Sequence, residues 1–320
     1  MIEKLRNIFQ VPELKRRILF TMVIVAIYRL GEHLPTPGVN VAALRAAFDS
    51  GGGAGGIFGL YDLFVGGAFS QAMIFALGIM PYISASIILQ LLGAVVPYYE
   101  KLRKEGEEGQ KKITQHTRYG TVLLSVLQSF GYAMFLQNGL GHGIVQHPGP
   151  LFVFSTIVTQ TTGTILVMWL GEKITEHGIG NGISLIIFIN IIGRVPNTLR
   201  QAIQNLQGGQ NWLIYLVILA GMVAVVAAVI LMTQAVRKIP VQYAKRIVGR
   251  RMYGGANTHI PLRVNTAGVI PIIFASSLMI FPNFLAGLFK WTVVQQVFSP
   301  MGWLYNILYG AIIVFFTYFY

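Results

Sequence analysis

The chain has 320 residues, 54% of them hydrophobic and 11% charged, where a soluble domain carries about 25% charged residues; this composition excludes an ordinary soluble enzyme. Lys and Arg number 24 against 11 Asp and Glu, a formal net charge of +13, so the few charges present serve membrane topology or bind an anion. Cysteine is absent, which removes disulfides, thiolate catalysis and Cys-ligated metal or iron–sulfur sites.

A helix needs about 20 apolar residues to cross the hydrocarbon core, and a charge at its centre costs about 2.5–3.5 kcal/mol. Uncharged stretches therefore mark the spans. The first runs from Ile18 to Tyr28 after the basic residues Lys4, Arg6, Lys15, Arg16 and Arg17. Arg29-Leu-Gly-Glu-His33 follows where a signal peptide would need a small-residue cleavage site, so the segment is read as retained, with Arg29 and Glu32 snorkelling to the interface.

Gly51-Gly-Gly-Ala-Gly-Gly56 then leads into Ile57-Phe-Gly-Leu-Tyr-Asp-Leu-Phe64, apolar but too short to span, followed by Gly66-Gly67 and a spanning helix expected from Ala68 within the uncharged stretch Val65 to Tyr99. The residues admit two readings of the short segment. It is either a re-entrant element moving on glycine hinges or an interfacial helix among the headgroups. The mixed charges of Glu100 to Lys112 read as a solvated turn.

Tyr119 to Leu136 forms the third span, ahead of a turn at Gly139 to Pro150, and Leu151 to Leu170 the fourth. His177 to Gly193, the fifth, opens on Gly178-Ile-Gly-Asn-Gly182-Ile-Ser184. This is a poor helix interior but a good helix start that lets backbones approach closely. A phosphate-binding glycine loop would need a preceding strand and a following Lys-Ser/Thr pair, and neither is present.

The sixth span, Trp212 to Val236, precedes a basic connection containing Arg237, Lys238, Lys245, Arg246, Arg250 and Arg251 interleaved with Tyr243 and Tyr253. That mixture suits phosphates and stacked bases or an acidic protein groove, while positive-inside topology alone accounts for part of the charge. Val264 to Phe289 and Trp291 to Tyr320 complete eight spans. Of the 24 basic residues, 19 fall on the side of the N-terminus and 5 opposite, which places the N-terminus in the cytoplasm.

Gly78-Ile-Met-Pro-Tyr-Ile-Ser-Ala-Ser86 aligns with Gly268-Val-Ile-Pro-Ile-Ile-Phe-Ala-Ser276 at an offset of 190 residues, keeping Gly, Pro, Ile, Ala and Ser. Internal repeats in membrane proteins place functional helices at their interface, and the helix breakers there line a cavity. The six histidines fall at span ends or in connections, the two aspartates (Asp49 and Asp62) on the non-cytoplasmic side, and no His-Glu-x-x-His motif occurs. No catalytic residue, metal site or cofactor is therefore expected. A span centre lacking charge also argues against ion-coupled transport, and isoleucine beside serine and glycine suits a neutral pathway with a hydrophobic constriction.

The run Phe75-Ala-Leu-Gly-Ile-Met-Pro-Tyr-Ile-Ser-Ala-Ser-Ile-Ile-Leu-Gln-Leu-Leu92 resembles the second spanning helix of the SecY family of bacterial protein-conducting channels. Lys104-Glu-Gly-Glu-Glu-Gly109 with Thr117-Arg-Tyr-Gly120, Trp169 through Ser184, and Tyr243-Ala-Lys-Arg246 with Pro261 through Ser277 are similar to that family's other signatures, in the same order from Leu14 onward.

The resemblance implies an all-α, polytopic membrane protein of two pseudo-symmetric, inverted-repeat halves, residues 1–200 and an incomplete 201–320. It implies a pore ring of Ile79, Ile83, Ile183, Ile187 and Ile273. It also implies a re-entrant plug over 57–67 carrying Ile57, Phe58, Leu60, Tyr61, Leu63 and Phe64. A lateral gate toward lipid would include Ser84, Ser86, Gln90, Gln128, Ser276 and Ser277. The basic loop 237–263, through Arg237, Lys238, Tyr243, Lys245, Arg246, Arg250 and Arg251, would dock the SecA motor ATPase or the ribosome. The implied partners further include the SecE and SecG subunits, secretory preproteins with their signal peptides, and anionic lipid, all at the bacterial cytoplasmic membrane. The family has ten spans, so a chain stopping inside the eighth is expected to be a fragment or truncated form. A secondary transporter of a small neutral solute is the alternative that repeats and broken helices also suit.

Overall fold

The computed structural model of the chain describes residues 11–50, 57–138, 143–208, 211–241, 246–248, 251–253, 258–266, 268, 271–276, 278–279 and 302–319. The chain is mostly helical and divides into two compact units, Met1–Asn197 with Phe274–Ala311, and Thr198–Ile273 with Ile312–Tyr320.

In the first unit α1 (Pro12–Gly31) starts on a proline in its first turn, where the missing N–H would be unpaired anyway. Helix α2 (Val41–Ser50) is capped by Asn40, whose Oδ1 accepts the Ala43 N–H at 3.2 Å. Helix α3 (Ile57–Phe64) is the short apolar element. Then come α4 (Met80–Val95), α5 (Pro97–Lys104), α6 (Glu107–Asn138), α7 (Pro150–His177) and α8 (Gly182–Gln207), whose last turns pass into the second unit.

The spanning helix expected from Ala68 does not begin there. Residues 65–79 are a chain of turns, because Gly66 (φ +75°), Gly67 (+95°), Ala72 (+49°) and Gly78 (+53°) all sit in the left-handed region, which a right-handed helix cannot accommodate. Backbone polar groups must be satisfied within the protein when water is excluded, and this segment meets that demand through its neighbours. The Thr36 N–H donates to Ala72 O at 2.8 Å and Ile74 N–H to Leu34 O at 2.9 Å. The Tyr132 hydroxyl donates to Phe69 O at 2.7 Å. Gln160 Nε2 donates to Thr36 Oγ1 at 2.8 Å and to Met73 O at 2.9 Å. Phe48, Tyr61, Phe69 and Tyr132 form the apolar cluster around it.

The solvated turn expected over 100–112 is instead a helical hairpin. Helices α4 and α5 meet at a 97° bend on Val96, which is extended (φ −98°, ψ 118°) because the following Pro97 disfavours the helical conformation before it. Gly106 (φ +72°) turns the chain into α6, and Gly109 lies so close to the Leu102 carbonyl that a Cβ would overlap it.

In the second unit α9 (Trp212–Gln234) buries no residue, as a helix apolar on all sides does when only lipid or partners cover it. Among the described residues, four short strands lie between the sixth and seventh expected spans. These are β1 (Val236–Val241), β2 (Arg246–Val248), β3 (Arg251–Tyr253) and β4 (Thr258–Arg263). They pair antiparallel as β1 with β4, Val236 opposite Arg263, and β2 with β3, Arg246 opposite Tyr253. Two-stranded sheets consist only of edges, so Pro240 and Pro261 interrupt no central ladder. The seventh expected span is described as a helix over 271–276, the rest lying largely outside the described residues. The last element is α10 (Trp303–Phe319). Among the described residues α6 to α9 are long and apolar enough to cross a membrane, five spans if the bent α4–α5 pair counts as one.

Candidate functional site

Four of the five expected ring isoleucines come together. Ile79 at the N-terminus of α4 is 3% exposed, Ile83 lies one turn on, and Ile183 and Ile187 occupy successive turns at the start of α8. All four join the apolar cluster of Ile24, Tyr28, Phe75, Val167, Ile174 and Ile186. Glycines permit this approach. A Cβ on Gly182 would overlap the Gly171 carbonyl, one on Gly31 the Phe75 ring, and one on Gly171 would lie 3.3 Å from Ile183 Cγ1. The fifth, Ile273, is half-buried in the other unit. The two sequence repeats share a local conformation: Gly78 (φ +53°) and Gly268 (φ +64°) are both left-handed, and each precedes a helix with proline in its first turn, at Pro81 and Pro271.

Beside the isoleucine cluster stands α3. Tyr61 is buried and donates its hydroxyl to Leu77 O at 3.0 Å, Phe64 is half-buried and Leu63 is exposed. The side chains of Ile57, Phe58 and Leu60 lie outside the described residues. Ser84 and Ser86 are half-buried on α4, where Gln90 Nε2 donates to Ser86 Oγ at 3.3 Å. Gln128 is half-buried on α6, which packs against α4. Ser276 shares a 3.0 Å hydrogen bond with the Tyr309 hydroxyl of α10; Ser277 lies outside the described residues. Of the basic loop, Arg237 and Lys238 are exposed on β1, Arg246 and Arg251 belong to β2 and β3, and Tyr243, Lys245 and Arg250 lie outside the described residues.

The charged groups correct the sequence reading. Arg29 and Glu32 do not reach outward: the Glu32 side chain is only 5% exposed and accepts from Arg29 Nη1 at 2.6 Å, while Arg29 Nη2 donates to the Ile189 carbonyl of α8. Asp62 of α3 is likewise buried and ion-paired with Arg194 of α8. Asn190, 1% exposed, donates to the Tyr28 hydroxyl at 2.9 Å and to Phe64 O at 3.1 Å. Sequence reasoning missed this cluster. The available signal was that the sparsely charged side of the topology holds Arg29, Glu32, Asp62 and Arg194 next to glycine-rich turns.

A family model described as SecY matches residues 73–320. The protein translocase subunit SecY of Streptomyces scabiei is 46% identical over 310 residues, covering 95% of this chain and 69% of the relative. The subunit of the same name from Escherichia coli strain K12 is 45% identical over 317 residues, covering 96% and 71%. A solved protein-conducting channel superposes with a TM-score of 0.61 at 20% identity, over 86% of this chain and 59% of that one. Sec61 from the canine ribosome–channel complex gives 0.57 at 20% identity, over 86% and 59%. This chain therefore spans less than two thirds of the solved channel chains, and at that identity the likeness is one of fold.

Proposed function

This chain belongs to the SecY family, and on that premise we propose that it works as the channel subunit of a protein translocase, passing unfolded secretory polypeptides across the membrane and releasing hydrophobic segments sideways into lipid. The observation that carries the reading is the meeting of Ile79, Ile83, Ile183 and Ile187 from α4 and α8 in one cluster beside a half-length helix. Branched apolar side chains form a gasket that yields to an extended chain yet excludes water when unoccupied. Ile273 completes the ring from the second repeat, and residues 1–200 and 201–320 act as the two pseudo-symmetric halves; the shared left-handed glycine and following proline of the repeats support this.

In the resting state α3 plugs the pore. A gate opens between α4 and α6 on one side and 271–276 with α10 on the other, with Ser84, Ser86, Gln90, Gln128, Ser276 and Ser277 at its edge. The chain acts as a conduit, not an enzyme, and uses no cofactor, so energy comes from a partner. SecA or the ribosome docks on the basic hairpins of 237–263, SecE and SecG complete the channel, and anionic lipid of the bacterial cytoplasmic membrane lies against the cytoplasmic basic residues.

Cysteines placed singly at Ile79 or Ile183 in the full-length subunit, assembled with its partners, test the reading. A secretory polypeptide stalled in transit should crosslink to both. Absence of adducts together with saturable uptake of a small neutral solute would favour a secondary transporter instead.

A further inference from the structure

We propose that Asp62 and Arg194, backed by Glu32, Arg29 and Asn190, form a charged latch that holds the glycine hinge of α3 in its resting position; this rests on reading α3 as the plug. The hinge is the pair Gly66 and Gly67, at φ +75° and +95°. Each glycine faces one side of the cluster. A Cβ on Gly66 would lie 3.2 Å from Glu32 Oε1 and 3.3 Å from Asn190 Cβ, and one on Gly67 would lie 3.0 Å from Arg194 Nη2. Both glycines are thus held against α8, with Glu32 at the end of α1 beside them, and have no side chains of their own.

Two kinds of polar tie cross this hinge from α3 to α8: the Asp62–Arg194 ion pair and the 3.1 Å bond from Asn190 Nδ2 to Phe64 O. Asp62 also reaches past the hinge, accepting the Ser70 N–H at 2.9 Å on Oδ1 while Oδ2 meets Arg194. This second role keeps the carboxylate aimed at α8. Behind the pair, Arg29 bridges Glu32 to the Ile189 carbonyl, so two cations and two anions, both carboxylates buried, balance in one group.

Such a group suits a device with two positions. Charges in a low-dielectric interior attract strongly when paired, and removing one partner leaves an uncompensated buried charge. Lifting α3 separates Asp62 from Arg194, so the closed position is favoured until something with its own differential affinity displaces it. Glycines at the pivot let the backbone turn without steric penalty. Asp62 and Arg194 are positioning residues here: they touch the plug and its seat, not the passing polypeptide.

The test uses the full-length subunit assembled with its partners. Asp62→Asn and Arg194→Gln should each raise resting ion leak about tenfold or more and loosen a spin label attached at Leu63→Cys, a position exposed in the resting structure. The exchanged pair, Asp62→Arg with Arg194→Asp, should recover most of the tightness. Single variants as tight as the parent, or an exchange as leaky as the singles, would overturn the latch. Should Arg194→Gln fail to assemble, Asp62→Asn carries the test, and Arg194→Lys, which retains the charge, should leak less than it; parental tightness in Asp62→Asn, or a lysine variant as leaky as Asp62→Asn, overturns the latch. Deleting 57–64 distinguishes plug from latch. A deleted channel no leakier than the parent refutes the plug itself, whereas a leaky deletion beside tight latch variants refutes only the latch.

Discussion

Gly163 of α7 packs on the backbone carbonyl of Ile74, so closely that a Cβ built on the glycine would overlap that oxygen. In an exposed helix interior, Gly→Ala stabilises by about 1 kcal/mol. At Gly163 the sign should reverse, with Gly163→Ala costing about 1–3 kcal/mol through overpacking. Gly221 of α9, where a Cβ would meet nothing within 4 Å, is the control, and its replacement by alanine should be neutral or stabilising. Thermal unfolding of the purified subunit in detergent compares the two.

The turns of 65–79 depend on donors from α6 and α7. Tyr132→Phe removes the bond to Phe69 O and Gln160→Met those to Thr36 Oγ1 and Met73 O, leaving buried acceptors unpaired at about 1–3 kcal/mol each. Lower unfolding temperatures, with faster proteolysis within 65–79, are the expected result.

If the isoleucines seal the pore, replacing Ile83, Ile183 and Ile273 together by glycine in the full-length subunit should raise resting ion conductance, since a ring without side chains no longer excludes water. Conductance across a planar bilayer measures this, and an unchanged value would remove these residues from the ring.

Reversing charge at Lys245, Arg246, Arg250 and Arg251 should weaken docking of SecA or the ribosome. The loss should shrink as salt rises, because ions screen the contact within about 10 Å at 0.1 M. Binding titrations at two ionic strengths check it. Affinity equal to the parent at both would reduce the loop to a topology signal.

Membrane residence and the short helix α3 were legible in the sequence because they depend on local quantities. These are apolar length and a glycine run flanking eight apolar residues. The gathering of Ile79 with Ile183 was legible only through family likeness, since nothing local relates α4 to α8. Misread were elements in which one residue overrides its window. Ala68 to Ile79 is as apolar as a span, yet left-handed Ala72 and Gly78 break it, and Val96 bends α4 from α5 because a proline follows. The strands of the basic loop escaped notice for a related reason: their pairing partners are separated by up to 27 positions, Val236 with Arg263.

Sequence alone determined that this chain lies in a membrane, because transfer to lipid acts on each segment separately. Only the tertiary structure decided where its scarce charges go. Asp62 and Arg194 stand 132 positions apart, and the glycines near each in the chain do not say which charge it meets. Their meeting is set by how closely glycine-lined backbones let α1, α3 and α8 approach, and in a medium too poor in water to solvate a lone charge that proximity makes them a pair.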